Sequence, residues 1–267
     1  MKRILKQLID IIKQHAAEQI MPRYNQVAYS FKQDGSVVTE ADSAMQQAMV
    51  ISLQEHWPEY NVLGEEMTEA EQQAQLDSDA KGLWVLDPLD GTSNFASGIP
   101  VFSVSIALVI NNEVVLGVIY DPNRDETFSA IKGEGAWIND KPLRCKTERE
   151  LLKQCTAQVD FKRLTPEMRG CLSRDQPYAS QRNFGSGALD WCWVAAGRCQ
   201  IYIHGGQKLW DYVAGQLILC EAGGCAKTFG GDKVFKKTLS PRSVMAAVNL
   251  SLFKQLQKYL TSMDCRK

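Results

Sequence analysis

The stretch Trp84-Val-Leu-Asp87-Pro88-Leu89-Asp90-Gly91-Thr92-Ser93-Asn94-Phe95 decides how the rest of the chain is read. Leu83 to Leu86 is an apolar run of strand length, and it ends on two aspartates separated by a proline and a leucine, then a glycine and two hydroxyl residues. The proline biases Asp87 toward extended backbone, and Gly91 permits a sharp turn or the close approach of a ligand. Both carboxylates can therefore leave one strand end toward one point, while Thr92, Ser93 and Asn94 open a helical turn whose N–H groups can face an anion. Carboxylates beside an anion cradle suit a metal and phosphate site. Taken alone, the same residues also describe a surface turn at Asp90-Gly91 with Asp87 as a cap.

Upstream, Asn61-Val-Leu-Gly64 reads as a short strand running into Glu65-Glu66, and the polar segment from Thr68 to Lys81 reads as a solvated excursion of helix or loop. Lys32 to Asp42 reads as a turn, a short extended piece and a helix start. Its signal, Thr39-x-x-Asp42, is a capping-box variant, and capping by itself accounts for Asp42. Apolar residues continue that helix to Leu53, and Pro58 ends it. Residues 3 to 21 form an amphipathic helix that stops before Pro22.

Downstream, Phe102 to Ile110, Glu113 to Tyr120 and Glu126 to Ile131 are strand-like, and Gly133 to Pro142 adds another turn-bounded strand, read together as an antiparallel sheet with the early helices covering a face. Residues 143 to 181 are charged and weakly periodic, which places a boundary between an N-terminal α+β part, 1–142, and a C-terminal α/β part, 143–267. Arg182 to Ala188 is a strand end, a glycine-rich turn at Gly185-Ser186-Gly187 and a helix start, with Gly197 as the helix stop. Cys199 to His204 is a strand and Tyr212 to Ala222 a helix, with Asp211 placed as its N-cap. At the end of its strand His204 is read as structural or as a ligand contact. A strand, Val244 to Val248, and a helix, Leu250 to Leu260, close the chain.

With 267 residues, 45% hydrophobic content and a formal charge of -1, the chain has the balance of a globular protein acting on small molecules, not of a general nucleic-acid or membrane-surface binder. Asp10 and Lys13 interrupt any signal-peptide core, and no segment reaches the unbroken apolar length of a membrane span. None of the eight cysteines forms a C-x-x-C pair, which argues for mostly reduced thiols in a cytoplasm and against zinc or a disulfide framework.

Three motifs, Gly64-Glu65-Glu66, Trp84-x-x-Asp87-Pro-Leu-Asp90-Gly91-Thr92-x-Asn94-Phe95 and Trp210-Asp211-x-x-Ala214-Gly215, occur in an order and at separations that resemble the inositol monophosphatase family. The family comprises magnesium-dependent, lithium-sensitive phosphatases. Lys32 to Asp42 and Arg182 to Ala188 match further parts of its pattern, so the likeness spans nearly the whole chain. The resemblance implies an αβαβα layered sandwich with mixed, largely antiparallel sheets. It implies that Glu65, Asp87 and the Leu89 carbonyl hold a first Mg2+, that Asp87, Asp90 and Asp211 hold a second, and that a weaker third lies near Glu65. Asp42 and Thr92 match the pair that orients an attacking water, with Glu65 as a further catalytic group. Asp90, Gly91, Thr92, Ser93, Gly185, Ser186, His204 and Asp211 fall at substrate-facing positions. A homodimer is expected on the same ground.

The residue types suit that chemistry. Carboxylates about 4 Å apart repel by about 4 kcal/mol per pair at an effective dielectric of 20, so several converge only around cations or by taking up protons. Magnesium is a hard ion that prefers oxygen ligands and is often completed by substrate phosphate. The expected reaction is hydrolysis of a small phosphorylated polyol of the inositol 1-phosphate kind by activated water. One departure stands out: inositol-hydrolysing relatives usually carry an acid seven residues before the motif aspartate, and this chain has His204. Lys208 nearby is either a site for a second phosphate or a solvated loop lysine. Bisphosphate nucleotides with a 3'(2'),5' pattern, fructose 1,6-bisphosphate and histidinol phosphate therefore stay open as substrates. A non-catalytic interaction protein that keeps the fold is the alternative of another class.

Overall fold

Along Gly82–Asp90 the side chains of Leu83 and Val85 enter one apolar core and those of Trp84 and Leu86 another, as the two-residue period of a strand requires. A strand buried on both faces needs a layer on each, and the computed structural model, which describes residues 1–26, 29–31 and 37–262, supplies them. The elements before it are α1 (Lys2–His15), β1 (Tyr29–Phe31), β2 (Val37–Thr39), α2 (Glu40–His56), β3 (Tyr60–Gly64) and α3 (Glu69–Asp77). It is itself β4, followed by α4 (Thr92–Ala96), β5 (Ser103–Ile110), β6 (Glu113–Asp121), β7 (Glu126–Ile131), β8 (Gly135–Ile138) and β9 (Lys141–Leu143). The second half contains β10 (Thr156–Asp160), α5 (Pro166–Arg174), β11 (Ser180–Arg182), α6 (Gly187–Ala195), β12 (Ile201–Gln207), α7 (Leu209–Glu221), β13 (Cys225–Lys227), β14 (Arg242–Ala247) and α8 (Leu250–Ser262).

Strands β3 to β9 form one sheet in chain order, and the second sheet runs β11-β10-β12-β14-β13. Helices α1 and α2 cover the first sheet's outer face, α6 and α7 fill the space between the sheets, and α8 lies on the second sheet, giving the αβαβα sandwich. Leu8, Ile12, Met45 and Met49 are fully buried against Trp84 and Leu86, and each contributes about 1.5–3 kcal/mol through burial. Because α7 is enclosed between sheets, nearly every residue from Leu209 to Leu219 is buried.

The strand and helix expectations up to residue 142 hold closely: β3 pairs parallel to β4, so the first sheet is mixed and largely antiparallel, as expected, and the one small difference is that the first helix leaves α geometry after His15. The larger difference lies in 143 to 181, where β10 occupies a central place in the second sheet between β11 and β12. Its inward Gln158, fully buried, breaks the apolar alternation that would have marked it. The turn expected within Lys32 to Ser36, and Cys265, lie outside the described residues. Cys145, Cys155, Cys192, Cys199, Cys220 and Cys225 are free thiols, whereas Cys171 is disulfide-bonded, an exception to the reading of reduced cysteines. No helix among the described residues is long and apolar enough to cross a membrane.

Candidate active site

In a regular strand, residues three apart face opposite ways, so Asp87 and Asp90 should diverge. They do not, because the β4–β5 ladder shifts register between them: Asp87 pairs with Ser105 and Asp90 with Ser103. One extra residue on β4 forms a bulge that restores both carboxylates to one face. Pro88, which has no N–H to lose, sits in that bulge, and the Leu89 N–H donates to Asp87 Oδ1 at 3.0 Å. The shared face looks toward the starts of α6 and α7. There the Ser105 hydroxyl donates to the Trp210 carbonyl at 3.1 Å and anchors the beginning of α7.

Each neighbouring acid is held by its own local device. Glu65 continues the β3 ladder, its N–H donating to the Leu86 carbonyl at 3.0 Å, and Gln72 of α3 donates to the Glu65 carbonyl at 2.9 Å. Asp90 lies at the N-terminus of α6, where it accepts from Ala188 N at 2.8 Å, Gly187 N at 3.1 Å and the Ser186 hydroxyl. Asp211 is the third residue of α7, not its N-cap, and its Oδ2 accepts from Lys208 N at 2.8 Å. Asp42, buried, fulfils the expected capping box: its Oδ2 accepts from both Thr39 N and Thr39 Oγ1 at 2.7 Å. Its other oxygen accepts from Thr92 Oγ1 at 3.0 Å.

Thr92 follows Gly91, whose φ of 94° starts α4 in the left-handed region that favours glycine. The Asn94 amide then joins the two halves of the chain, donating to the Val101 carbonyl at 2.8 Å and the Phe184 carbonyl at 2.6 Å. That link sets the Gly185 turn beside α4.

A cleft of about 180 Å³ results, lined by Glu65, Asp87, Leu89, Asp90, Gly91, Thr92, Gly185, Ser186, His204 and Asp211. Asp42 stands behind Thr92, and the exposed Ser93 and Lys208 are not part of the lining. The same cleft takes in Asp160, Arg163, Asn183, Asp190 and Gln207, none of which the sequence reading singled out as site residues. Asp160 had a signal: Ala157-Gln-Val-Asp160 is a strand ending on an acid, the pattern that drew attention to Asp87.

His204 turns away from the role of substrate acceptor. Its Nδ1 accepts the Gly206 N–H at 3.1 Å, and its Nε2 faces Asp160 Oδ2 at 3.4 Å, so the imidazole proton belongs on Nε2. The acid on this wall is Asp160, opposite His204 in the β10–β12 register. Burial acts to raise Asp160, but hydrogen bonding and charge from His204, with the N–H groups of Lys162 and Arg163, bring it below its ordinary value.

The deep acids move the other way. Burial first, then Glu65, Asp90 and Asp211, pushes Asp87 well above the usual carboxylate range. Burial and then Glu65 and Asp90 do the same to Asp211, and burial raises Asp90 against the donors of α6. Asp190, also raised by burial, has a buried Oδ1 with no partner among the described residues. Among the described residues, no three carboxylate, imidazole or thiol groups stand close enough to grip one ion as they are placed. The donor chemistry nonetheless fits a hard divalent cation: all-oxygen, anionic, and short of positive charge.

A five-layer α/β sandwich with buried acids and a capped threonine at the junction of its two sheets defines a class of small-molecule site, and comparison with known proteins narrows it. The chain matches the inositol monophosphatase family over residues 1–263 and belongs to that family. It is 41% identical to the Nus factor SuhB of Pasteurella multocida over 78% of each chain. It is 36% identical to inositol monophosphatase 1 of Solanum lycopersicum over 70% of each. Among solved structures, an IMPase of Thermotoga maritima superposes with a TM-score of 0.83 at 28% identity, covering 98% of both chains.

Proposed function

We propose that the chain is a Mg2+-dependent phosphate monoester hydrolase acting on a small phosphorylated polyol. The observation that carries this reading is the Thr92–Asp42 hydrogen bond set beside two carboxylates that a β-bulge turns to one face. Glu65, Asp87, the Leu89 carbonyl, Asp90 and Asp211 would hold the cation, in two or three sites. When bound, it would supply positive charge to the phosphate and make a water more acidic.

The chain's own residues account for the rest. Thr92 Oγ1 has one proton and two acceptors at 3.0 Å, Asp42 Oδ1 and the Leu89 carbonyl. Its lone pairs therefore remain to accept a hydrogen bond from the attacking water. Burial raises Asp42 to about 6, against which Thr39 and Thr92 donate, so at pH 7 the carboxylate that holds Thr92 is mostly ionised. The N–H groups of Gly91, Thr92 and Ser93 donate to phosphate oxygens, since first-turn N–H groups have no carbonyl of their own helix. Inositol 1-phosphate, fructose 1,6-bisphosphate, 3'(2'),5'-bisphosphate nucleotides and histidinol phosphate form the substrate set, and lithium sensitivity, a homodimer and a cytoplasmic location go with the family reading.

A second reading has its own support: the relative at 41% identity is named a Nus factor. On that reading the fold serves as a non-catalytic interaction partner. Phosphate release from the substrate set, with Mg2+ and with a chelator, separates the two. Mg2+-dependent release supports the hydrolase, and its absence across the set supports the interaction protein.

A further inference from the structure

Arg163 reaches the lining of the cleft from one turn, Phe161–Arg163, which follows β10 directly. Asp160 caps it, Oδ1 accepting the Lys162 N–H at 2.9 Å, and His204 holds the other Asp160 oxygen at 3.4 Å. The turn closes on itself through Leu164 N to the Phe161 carbonyl at 3.3 Å, and Leu164 is buried in the core. On its far side β12 presents Gly205, where a Cβ would lie 1.8 Å from the Arg163 carbonyl oxygen. Only a residue without a side chain lets β12 pass so close. Arg163 thus starts from a clamped backbone, unlike a lysine on a free loop.

Arg163 is the only lysine or arginine among the described residues lining the cleft, which also carries six carboxylates. Charge compensation is the simplest role for such a residue, and the contacts argue against it. Arg163 makes no ion pair or side-chain hydrogen bond among the described residues. Its charge reaches Asp211 as the weakest of the influences there, behind burial, Glu65, Asp90 and the Lys208 N–H. Arg163, exposed at the cleft's lining, carries a planar fork of five donors with no protein partner among the described residues, and such a fork matches the paired oxygens of a phosphate or carboxylate.

We propose that Arg163 is a specificity residue that binds a second anionic group, phosphate or carboxylate, on the alcohol half of the substrate. The inference rests on the hydrolase reading and deepens it. It transfers to Arg163 the second-anion role that the sequence left open for Lys208. Asp160 and His204 act as positioning residues for the turn, which also explains a histidine where the family has an acid.

Matched substrate pairs test this. Fructose 1,6-bisphosphate and fructose 1-phosphate differ by a phosphate, and 2-phosphoglycerate and glycerol 2-phosphate by a carboxylate. In the parent, kcat/KM should favour at least one doubly anionic member. In Arg163→Gln that preference ratio should fall about tenfold or more, about 1.4 kcal/mol, with Arg163→Lys intermediate. The pair that responds identifies the anion. A ratio unchanged by Arg163→Gln, or a uniform loss across all four compounds, overturns the proposal and returns Arg163 to charge compensation. Calorimetric binding of fructose 6-phosphate needs no turnover and should weaken by about the same factor in Arg163→Gln. Equal binding, or none to either protein, counts against the proposal. Absence of turnover on every compound would remove the hydrolase reading, while the binding comparison still decides the role of Arg163.

Discussion

Thr92 Oγ1 donates to Asp42 Oδ1 at 3.0 Å across fifty residues of sequence, joining the first turn of α4 to the first turn of α2. With the Leu89 carbonyl, also at 3.0 Å, this contact takes up the hydroxyl proton and leaves the oxygen's lone pairs to accept. Thr92→Val removes the acceptor offered to water and keeps the shape. It should lower kcat by about a hundredfold or more, while Thr92→Ser retains most activity. Steady-state kinetics on whichever monoester the parent turns over fastest provides the check, and a Thr92→Val enzyme with parental kcat would remove Thr92 from the chemistry.

Asp42 makes a separate statement about stability. Burial raises it from 3.8 to about 6, so the folded value lies above the unfolded one. The native state therefore binds the proton more tightly. The associated stability is fully present below about pH 4 and is lost as pH rises through about 6. Asp42→Asn does not titrate, so between pH 4 and pH 7 the parent should lose up to about 3 kcal/mol relative to the variant. Urea unfolding of both proteins across that range measures the gap, and a gap independent of pH would contradict the assignment.

Ser186 serves Asp90 and α6 together: its hydroxyl donates to the carboxylate and accepts the Leu189 N–H at 3.4 Å. Ser186→Ala removes a donor from a buried charge and should cost about 1–3 kcal/mol in urea unfolding. A loss well under that would mean the N–H groups of Gly187 and Ala188 hold Asp90 unaided.

Gly215 tests the packing of the central layer, since a Cβ there would lie 2.4 Å from Trp191 Cβ on α6. Alanine gains about 1 kcal/mol of helix propensity over glycine. Overpacking costs about 1–3 kcal/mol, and here the clash is between atoms next to two backbones that cannot swing aside, which places it high in that range. Gly215→Ala should therefore lower the unfolding midpoint despite its better propensity, and a raised midpoint would show that α6 and α7 part freely.

His204→Glu would set a second carboxylate against Asp160. Two such charges 4 Å apart at an effective dielectric of 20 repel by about 4 kcal/mol, a figure that solvent reduces at the partly exposed Asp160. The Phe161–Arg163 turn should loosen, and kcat/KM for inositol 1-phosphate should not rise. A rise would place His204 directly on the alcohol.

Much of the fold was legible because local signals and burial agreed. The apolar run at Leu83 to Leu86, the Thr39-x-x-Asp42 box and Gly197 as a helix stop all appear where expected. Missed features depended on long-range pairing. The convergence of Asp87 and Asp90 was expected, but the bulge that produces it is defined only against Ser103 and Ser105 on β5. Strand β10 hides behind its buried polar Gln158, and with it went Asp160 and the turn of Arg163. His204 was legible as a departure from the family, but its meaning needed the β10–β12 register that sets it opposite Asp160.

The central claim is that Asp90 stands in a metal-dependent phosphate site. Asp90→Asn keeps the shape and can still accept from Ser186, Gly187 or Ala188, but it removes the charge. The decisive measurement is Mg2+-dependent phosphate release by the parent and by Asp90→Asn, with folding of both confirmed by urea unfolding. The account predicts release by the parent that a chelator abolishes, and a loss of about a hundredfold or more in the variant. Full Mg2+-dependent activity in a folded Asp90→Asn protein would contradict it.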